Sequence, residues 1–349
     1  MRLEARAEVS RTLQVAAPFA AIAVTLVVCS LLVAWSGAPV GGAYRLLLEG
    51  AAGSTFAISE TLTRATPLII TGLAVTVAFR AKLYNIGAEG QLYAGALAAV
   101  GVANAGLSLP TAVVFPLVVA AAMAAGALLL IGPALLKTRF HVDEVVTTLL
   151  LNFIALLFVS MMLDGPMKDP MAMGWPQSVA IPEELELGKL AERSRVHSGL
   201  LIALALAVVV WIVDRFTAFG FEMRAVGANA RAAAFAGLPV QAVVLKTALL
   251  SGALAGLAGA IEVMGRAGYV TLDMSPGYGY SGIVIAMLAQ LNPLGVVAAA
   301  IFVAGILVGA DSMSRAIAVP TYIADVIVAA SLVAMLVASM LARYRIRFK

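Results

Sequence analysis

The chain has 349 residues, 62% of them hydrophobic and only 12% charged, with a mean hydropathy of +1.01. A soluble domain is typically about a quarter charged, so the long apolar runs specify an all-α, multi-pass membrane protein instead of two soluble domains. Cys29 is the single cysteine, and His141 and His197 are the two histidines, which excludes a disulfide framework and a histidine-built metal centre. The net charge of +4 lies mostly between the apolar runs, where membrane topology explains it, so no nucleic-acid partner is expected.

In chain order, the run 15–35 follows a short basic head carrying Arg2, Arg6 and Arg11. Small residues at Ser36-Gly37-Ala38 supply a cleavage pattern, but the run exceeds the roughly 7–15 residues of a signal core and is taken as a retained span. The segment 67–79 is only 13 residues long and passes into a polar, glycine-bearing stretch before 92–107. Further spans are 110–136, 145–163, 200–213, 247–265 and 321–341. The segment 281–291 is short, breaks at Asn292-Pro293, and resumes through 309. Together these predict about ten transmembrane helices, some broken or re-entrant, in one transmembrane domain over 1–349. Interrupted short segments in both halves point to a transport pathway, because unwound backbone is tolerated at membrane depth only where it lines a cavity or protein. The similar patterning of 71–98 and 251–286 suggests a weak internal repeat.

With ten crossings both termini share one side. The segments then assigned inside carry 15 Lys and Arg against 8 outside, and the basic tail through Lys349 follows the last span directly. The positive-inside rule puts both termini in the cytoplasm. It leaves 164–198 as an outside loop and 214–246 as an inside one.

The densest polar cluster is Tyr84-Asn85-Ile86-Gly87-Ala88-Glu89-Gly90-Gln91. A carboxylate at membrane depth needs a cavity or a partner; the alternative is an ordinary cytoplasmic turn with Glu89 solvated or paired to Lys82. Gly277-x-Gly279-x-x-Gly282 matches the dinucleotide fingerprint, but it lies between apolar helices and lacks the strand that fingerprint requires. Its glycines fit a helix break beside a path. On the inside loop Asn229 suits a helix N-cap, 230–236 a short helix, and Gly237 its stop. Gly252-x-x-x-Gly256 and Gly305-x-x-x-Gly309 allow close helix crossing. Glu262 and Arg266, four residues apart, can pair near the outer interface. Asp325, inside the final apolar run, either serves a path or satisfies a neighbouring group. No phosphate loop is present, so ATP hydrolysis is not expected of this chain, and no cofactor is expected.

The first cluster, continuing to Leu92-Tyr93 and preceded by Gly72-Leu73-Ala74-Val75, closely resembles the signature block of bacterial inner-membrane ABC importer permeases of the ribose and branched-chain amino-acid type, simple-sugar and nucleoside branch. Three more blocks follow in family order: Lys137 through Asn152, Arg224-Ala225-Val226-Gly227-Ala228-Asn229 continuing to Gly237, and Gly277 through Gly295. Tyr84 stands where Phe is common, and Ser281 where relatives often carry Asp or Thr. The resemblance implies a permease subunit working by alternating access, partnered by cytoplasmic ATPase subunits, a second permease chain and a periplasmic or lipid-anchored solute-binding protein. It ranks nucleosides first as solute and simple sugars second. Tyr84, Asn85, Glu89, Gln91, Asn152 and Tyr278 are the expected pathway residues, since amides and a carboxylate suit hydroxyls and ring nitrogens while Tyr84 can stack on a base. Glu222, Arg224, Gly227, Asn229, Arg231 and Gly237 are the expected ATPase-coupling residues. The rivals are an ATP-independent secondary transporter, with Glu89, Glu262 and Asp325 as ion carriers, and an integral membrane enzyme, for which no convergent acid, base and nucleophile set exists.

Overall fold

A computed structural model describes residues 2–5, 11–35, 37–192, 194–317 and 322–347. Arg6, Ser36, Thr321 and Lys349, used above for the basic head, the cleavage pattern, the last span and the tail, lie outside the described residues. The apolar runs fold as helices: α1 (Arg11–Trp35), α2 (Val40–Ala52), α3 (Thr55–Arg80), α4 (Ala88–Ala103), α5 (Thr111–Phe140), α6 (Glu144–Asp164), α7 (Gly199–Phe216), α8 (Ala218–Ala228), α9 (Ala230–Phe235), α10 (Val240–Glu262), α11 (Tyr278–Leu288), α12 (Pro293–Ile317) and α13 (Tyr322–Arg343). The all-α expectation holds apart from one short pair. Strand β1 (Arg2–Ala5) lies antiparallel to β2 (Tyr344–Arg347), with Leu3 opposite Ile346, so these two terminal segments meet at one end of the molecule.

Among the described residues six helices are long and apolar enough to cross a membrane, or seven if the α1–α2 pair, bent by 117°, is one span. The expected count of about ten is therefore not reached. A crossing needs roughly 20 apolar residues, and α4 has 16 and α11 has 11. The short segment 67–79 is corrected in the other direction. It is the second half of the 26-residue α3, capped where Ser54 Oγ accepts from Ala57 N at 3.0 Å. Ser59, Glu60, Thr61, Thr63 and Arg64 hide its first half from a hydropathy reading, yet these side chains face protein. Arg64 pairs with Asp311 of α12 at 2.6 Å and Glu60 with Arg195 at 3.2 Å.

Helix α10 forms the seam of the bundle. A Cβ on Gly252 would come within 2.5 Å of the Gly126 carbonyl oxygen of α5, and one on Gly256 within 2.2 Å of the Ala122 carbonyl. Bare glycine backbone lets the two helices touch, as small residues do where lipid supplies no hydrophobic drive. Gly309 likewise packs on the Leu47 carbonyl of α2. At one end of the bundle Lys137 pairs with Glu144, and Asp214 receives Arg80 at 3.0 Å. At the other end the 164–198 segment folds tightly over the end of α10. Ser178 N donates to Val270 O at 3.0 Å, Ile181 N to Gly268 O at 2.8 Å and Leu187 N to Met264 O at 2.8 Å. There α10 ends in a π-turn, Val263–Ala267.

Candidate functional site

After α3 the chain turns back on itself. Lys82 takes a left-handed φ of 52°, and residues 83–87 re-enter the bundle before α4 begins at Ala88. This turn is held at the middle of α10. Asn85 Nδ2 donates to Gln91 Oε1 at 2.9 Å and to Ser251 Oγ at 3.2 Å. Its Oδ1 accepts from Gly87 N and Gln91 Nε2, each at 2.9 Å, and Ser251 Oγ donates onward to the Ala74 carbonyl of α3 at 2.7 Å. Asn85, Gln91 and Ser251 are all fully buried. Such a network resists disruption because any member left alone would be an unsatisfied polar group in a dry interior.

A second junction lies beside it. The 11-residue α11 starts at Tyr278, and its Gly279 N donates to Glu89 Oε2 at 2.6 Å. A Cβ on Gly279 would come within 2.2 Å of the Glu89 backbone nitrogen, so only glycine lets the two helix starts abut. Glu89 occupies the first turn of α4, and its carboxylate therefore sits at the N-termini of both short helices, each favouring negative charge. Thr71 Oγ1 of α3 donates to the Tyr278 carbonyl at 3.1 Å, which puts this junction well inside the bundle. Ser275 Oγ accepts from Tyr278 N at 2.9 Å, and Tyr93 OH donates to Leu272 O at 2.7 Å, fixing the strap that leads into α11.

Asn152 of α6 closes the arrangement. Its Oδ1 accepts from Gly90 N at 2.8 Å, and its Nδ2 donates to Ile86 O at 2.8 Å and to Tyr280 OH at 3.2 Å. The structure thus gathers Asn85, Glu89, Gln91, Asn152 and Tyr278 around one point, all buried and hydrogen-bonded within the chain. Tyr84 lies apart. Its ring is 43% exposed, packs edge-on against Phe79 at 5.2 Å, and has Lys137 Nζ 6.0 Å from its centroid. Tyr280, absent from the sequence-based set, is 37% exposed and is the side chain through which the junction reaches the surface of α11. In the sequence it stands with Tyr278 among the glycines of the 277–282 stretch read as a helix break beside a path.

Sequence reasoning also missed how much charge is buried nearby. Arg266 donates to Glu262 at 2.6 Å, as their spacing suggested, but also to Tyr278 OH at 3.0 Å, which ties the π-turn to α11. Glu262 is fully buried, and its Oε2 has no partner among the described residues. Asp325 sits exposed in the first turn of α13. In the 164–198 segment His197 is buried against Gly265, where a Cβ would come within 2.3 Å of the ring. Burial, and then the Arg266 charge, push its pKa down to about 4.

The expected coupling residues occupy α8 and α9. Asn229 Oδ1 caps α9, accepting from Arg231 N at 3.0 Å and Ala232 N at 3.1 Å. Gly237 follows with a left-handed φ of 84°, suiting a helix stop. Arg231 is exposed and Glu222 half-buried. Two others turn inward: Arg224 faces Asp214 at 3.5 Å, and Gly227 is pressed on the Arg80 carbonyl. At the end of α9 Phe235 stands 96% exposed.

Residues 57–345 match the family model described as branched-chain amino acid transport system / permease component. The chain belongs to that permease family. The permease is 36% identical over 342 residues to the guanosine ABC transporter permease protein NupP of Bacillus subtilis (strain 168), covering 97% of each chain. It is 38% identical over 314 residues, 87% of this chain and 82% of the relative, to the glucose ABC transporter permease protein TsgB13 of Haloferax volcanii. Identity to the nucleoside ABC transporter permease protein NupB of Lactococcus lactis is 32% over 300 residues, 84% of this permease and 82% of that one. The permease is thus the multi-pass membrane subunit of an ABC transport system, which sets the secondary-transporter and enzyme readings aside.

Proposed function

We propose that this permease carries a nucleoside into the cell, driven by separate ATPase subunits on the cytoplasmic side and supplied by a binding protein on the outer one. The alignment over 97% of both chains with a guanosine permease carries the choice of solute; the glucose relative makes a simple sugar the second reading. We place both termini in the cytoplasm, with a path broken at α4 and α11. The meeting of β1 and β2 at one end supports the first point, and the basic residues Arg80, Lys137 and Arg224 at the bundle end nearest α9 support it too.

In this proposal Tyr84 and Tyr280 are the side chains that meet solute, since an exposed aromatic face suits a nucleobase. Asn85, Glu89, Gln91, Asn152 and Tyr278 form the frame that holds those rings and the helix break between them. A second permease chain, identical or related, completes the path. Helices α8 and α9 receive the ATPase, with Arg231 and Phe235 outward and with Arg224 and Gly227 passing movement to α3 through Asp214 and Arg80. The test is uptake by cells expressing the transporter with its genomic partners, competed by unlabelled solutes. Guanosine and other nucleosides should compete, and glucose should not. Competition by glucose alone would move the assignment to the sugar reading.

A further inference from the structure

Where α7 ends, a pocket of about 440 Å³ opens beside the start of α12. Arg80, Arg215 and Arg224 line it, against the single carboxylate of Asp214. Asp214 is already shared by Arg80 and Arg224, and Arg80 Nε has no acceptor among the described residues. Arg215 is exposed and has no partner among them. The pocket also contains Asn292 and Pro293 at the start of the 25-residue α12, whose dipole adds some positive potential although Asn292 Oδ1 already accepts from Leu294 N and Gly295 N. Three guanidinium groups against one carboxylate, lining one cavity, make a phosphate-binding environment.

Two further features say what carries that phosphate. Trp211 lines the same pocket, the residue type that settles at the membrane–water interface. Directly along α7 from it, Leu201, Ala205, Val208 and Ile212 form an exposed apolar stripe at helical spacing that ends at Arg215. An apolar stripe running into a basic pocket matches an acyl chain joined to an anionic headgroup. We propose that this pocket binds the phosphate headgroup of an anionic phospholipid of the cytoplasmic leaflet, with its acyl chains lying on the exposed face of α7. Because Arg80, Asp214 and Arg224 also tie α8 to α3, the lipid sits against the connection between the α8–α9 pair and the core. The leaflet rests on the orientation proposed above; the solute does not enter.

The experiment is a thermal melt of the assembled transporter in neutral detergent, titrated with dioleoyl phosphatidylglycerol, dioleoyl phosphatidylcholine or inorganic phosphate. Phosphatidylglycerol alone is expected to raise the melting temperature in a saturable way. Arg215→Gln should weaken its apparent affinity about fivefold, the factor for about 1 kcal/mol per basic residue. Arg139→Gln, at another exposed basic residue, should not. The melt of each variant without lipid checks that it is folded. Equal effects of the two lipids, or an unchanged response in Arg215→Gln, would overturn the site. Saturation by inorganic phosphate alone would show a free-anion site and overturn the lipid. Loss of the effect in the assembled transporter, but not in the isolated chain, would show that a partner covers α7 and overturn it as well. A permease specific for another solute would still pass, which keeps the two proposals separable.

Discussion

The junction of α4 with α11 and the α8–α9 pair carry three of the four family blocks, and they solve opposite problems. At the junction, Asn85, Gln91 and Ser251 spend their polar groups on one another, and Glu89 spends its carboxylate on the start of α11. Of that junction only Tyr280, bonded to Asn152, reaches the surface. At the other site α9 is only six residues long, capped by Asn229 and stopped before Gly237, and it presents Phe235 almost wholly exposed. Interior polar residues thus hold a broken helix in place, and α9 leaves an aromatic ring exposed. On the proposed function, substitutions in the first place should act on stability and in the second on coupling.

The largest effect is expected at Gly279. A valine there would drive its Cβ into the backbone of Glu89, 2.2 Å away, and separating two helix starts should cost about 3 kcal/mol or more. Gly279→Val should leave little folded permease by size-exclusion chromatography, and a normal yield would mean that the two helices do not abut. Next comes acid. His197 has its pKa held at about 4 in the fold against an ordinary 6.5, so below pH 6.5 the unfolded chain binds the extra proton and stability falls as pH drops towards 4. The loss should approach about 3 kcal/mol at 1.36 kcal/mol per unit. His197→Gln should flatten the pH dependence of the melting temperature over that window, while stability above pH 7 is unaffected by the titration.

Asn85→Ala follows. It strands the Gln91 amide and Gly87 N, costing about 1–3 kcal/mol. The double variant with Gln91→Ala should cost less than the sum of the two singles, because the partners share one network. Additive losses would show that the two side chains act apart. The smallest stability effect belongs to Phe235→Ala. With no packing to lose, the melting temperature should shift by no more than about 0.5 kcal/mol equivalent, while solute-stimulated ATPase activity of the complex falls sharply. An unchanged ATPase rate would detach α9 from the coupling role.

Much of this contrast was legible in the sequence, because it is local. The Asn229 cap, the Gly237 stop, the Gly252–Gly256 seam and the Glu262–Arg266 pair all depend on residues three to eight positions apart, within reach of helical spacing. What was not legible depends on distance along the chain. Asn85 meets Ser251 across 166 positions and Glu89 meets Gly279 across 190, so the hydrogen-bond partners of the polar cluster could not be read from the sequence. The pairing of Arg224 with Asp214 was likewise not visible, because Asp214 lies on the preceding helix across a turn. The first half of α3 fell outside the short segment 67–79 because hydropathy cannot tell a polar side chain facing water from one, like Arg64, facing Asp311. About ten crossings followed from counting apolar runs, and α4 and α11 are too short to be counted that way.

The most direct test is simultaneous uptake and ATP hydrolysis by the complete transporter in proteoliposomes, comparing wild type with Phe235→Ala, with guanosine as solute. Wild type should take up guanosine only with ATP on the side of α9, and Phe235→Ala, equally stable, should lose uptake and stimulated hydrolysis together. Guanosine uptake that proceeds without ATP, or that survives in Phe235→Ala at the wild-type rate, would contradict an ATP-driven permease coupled through α8 and α9.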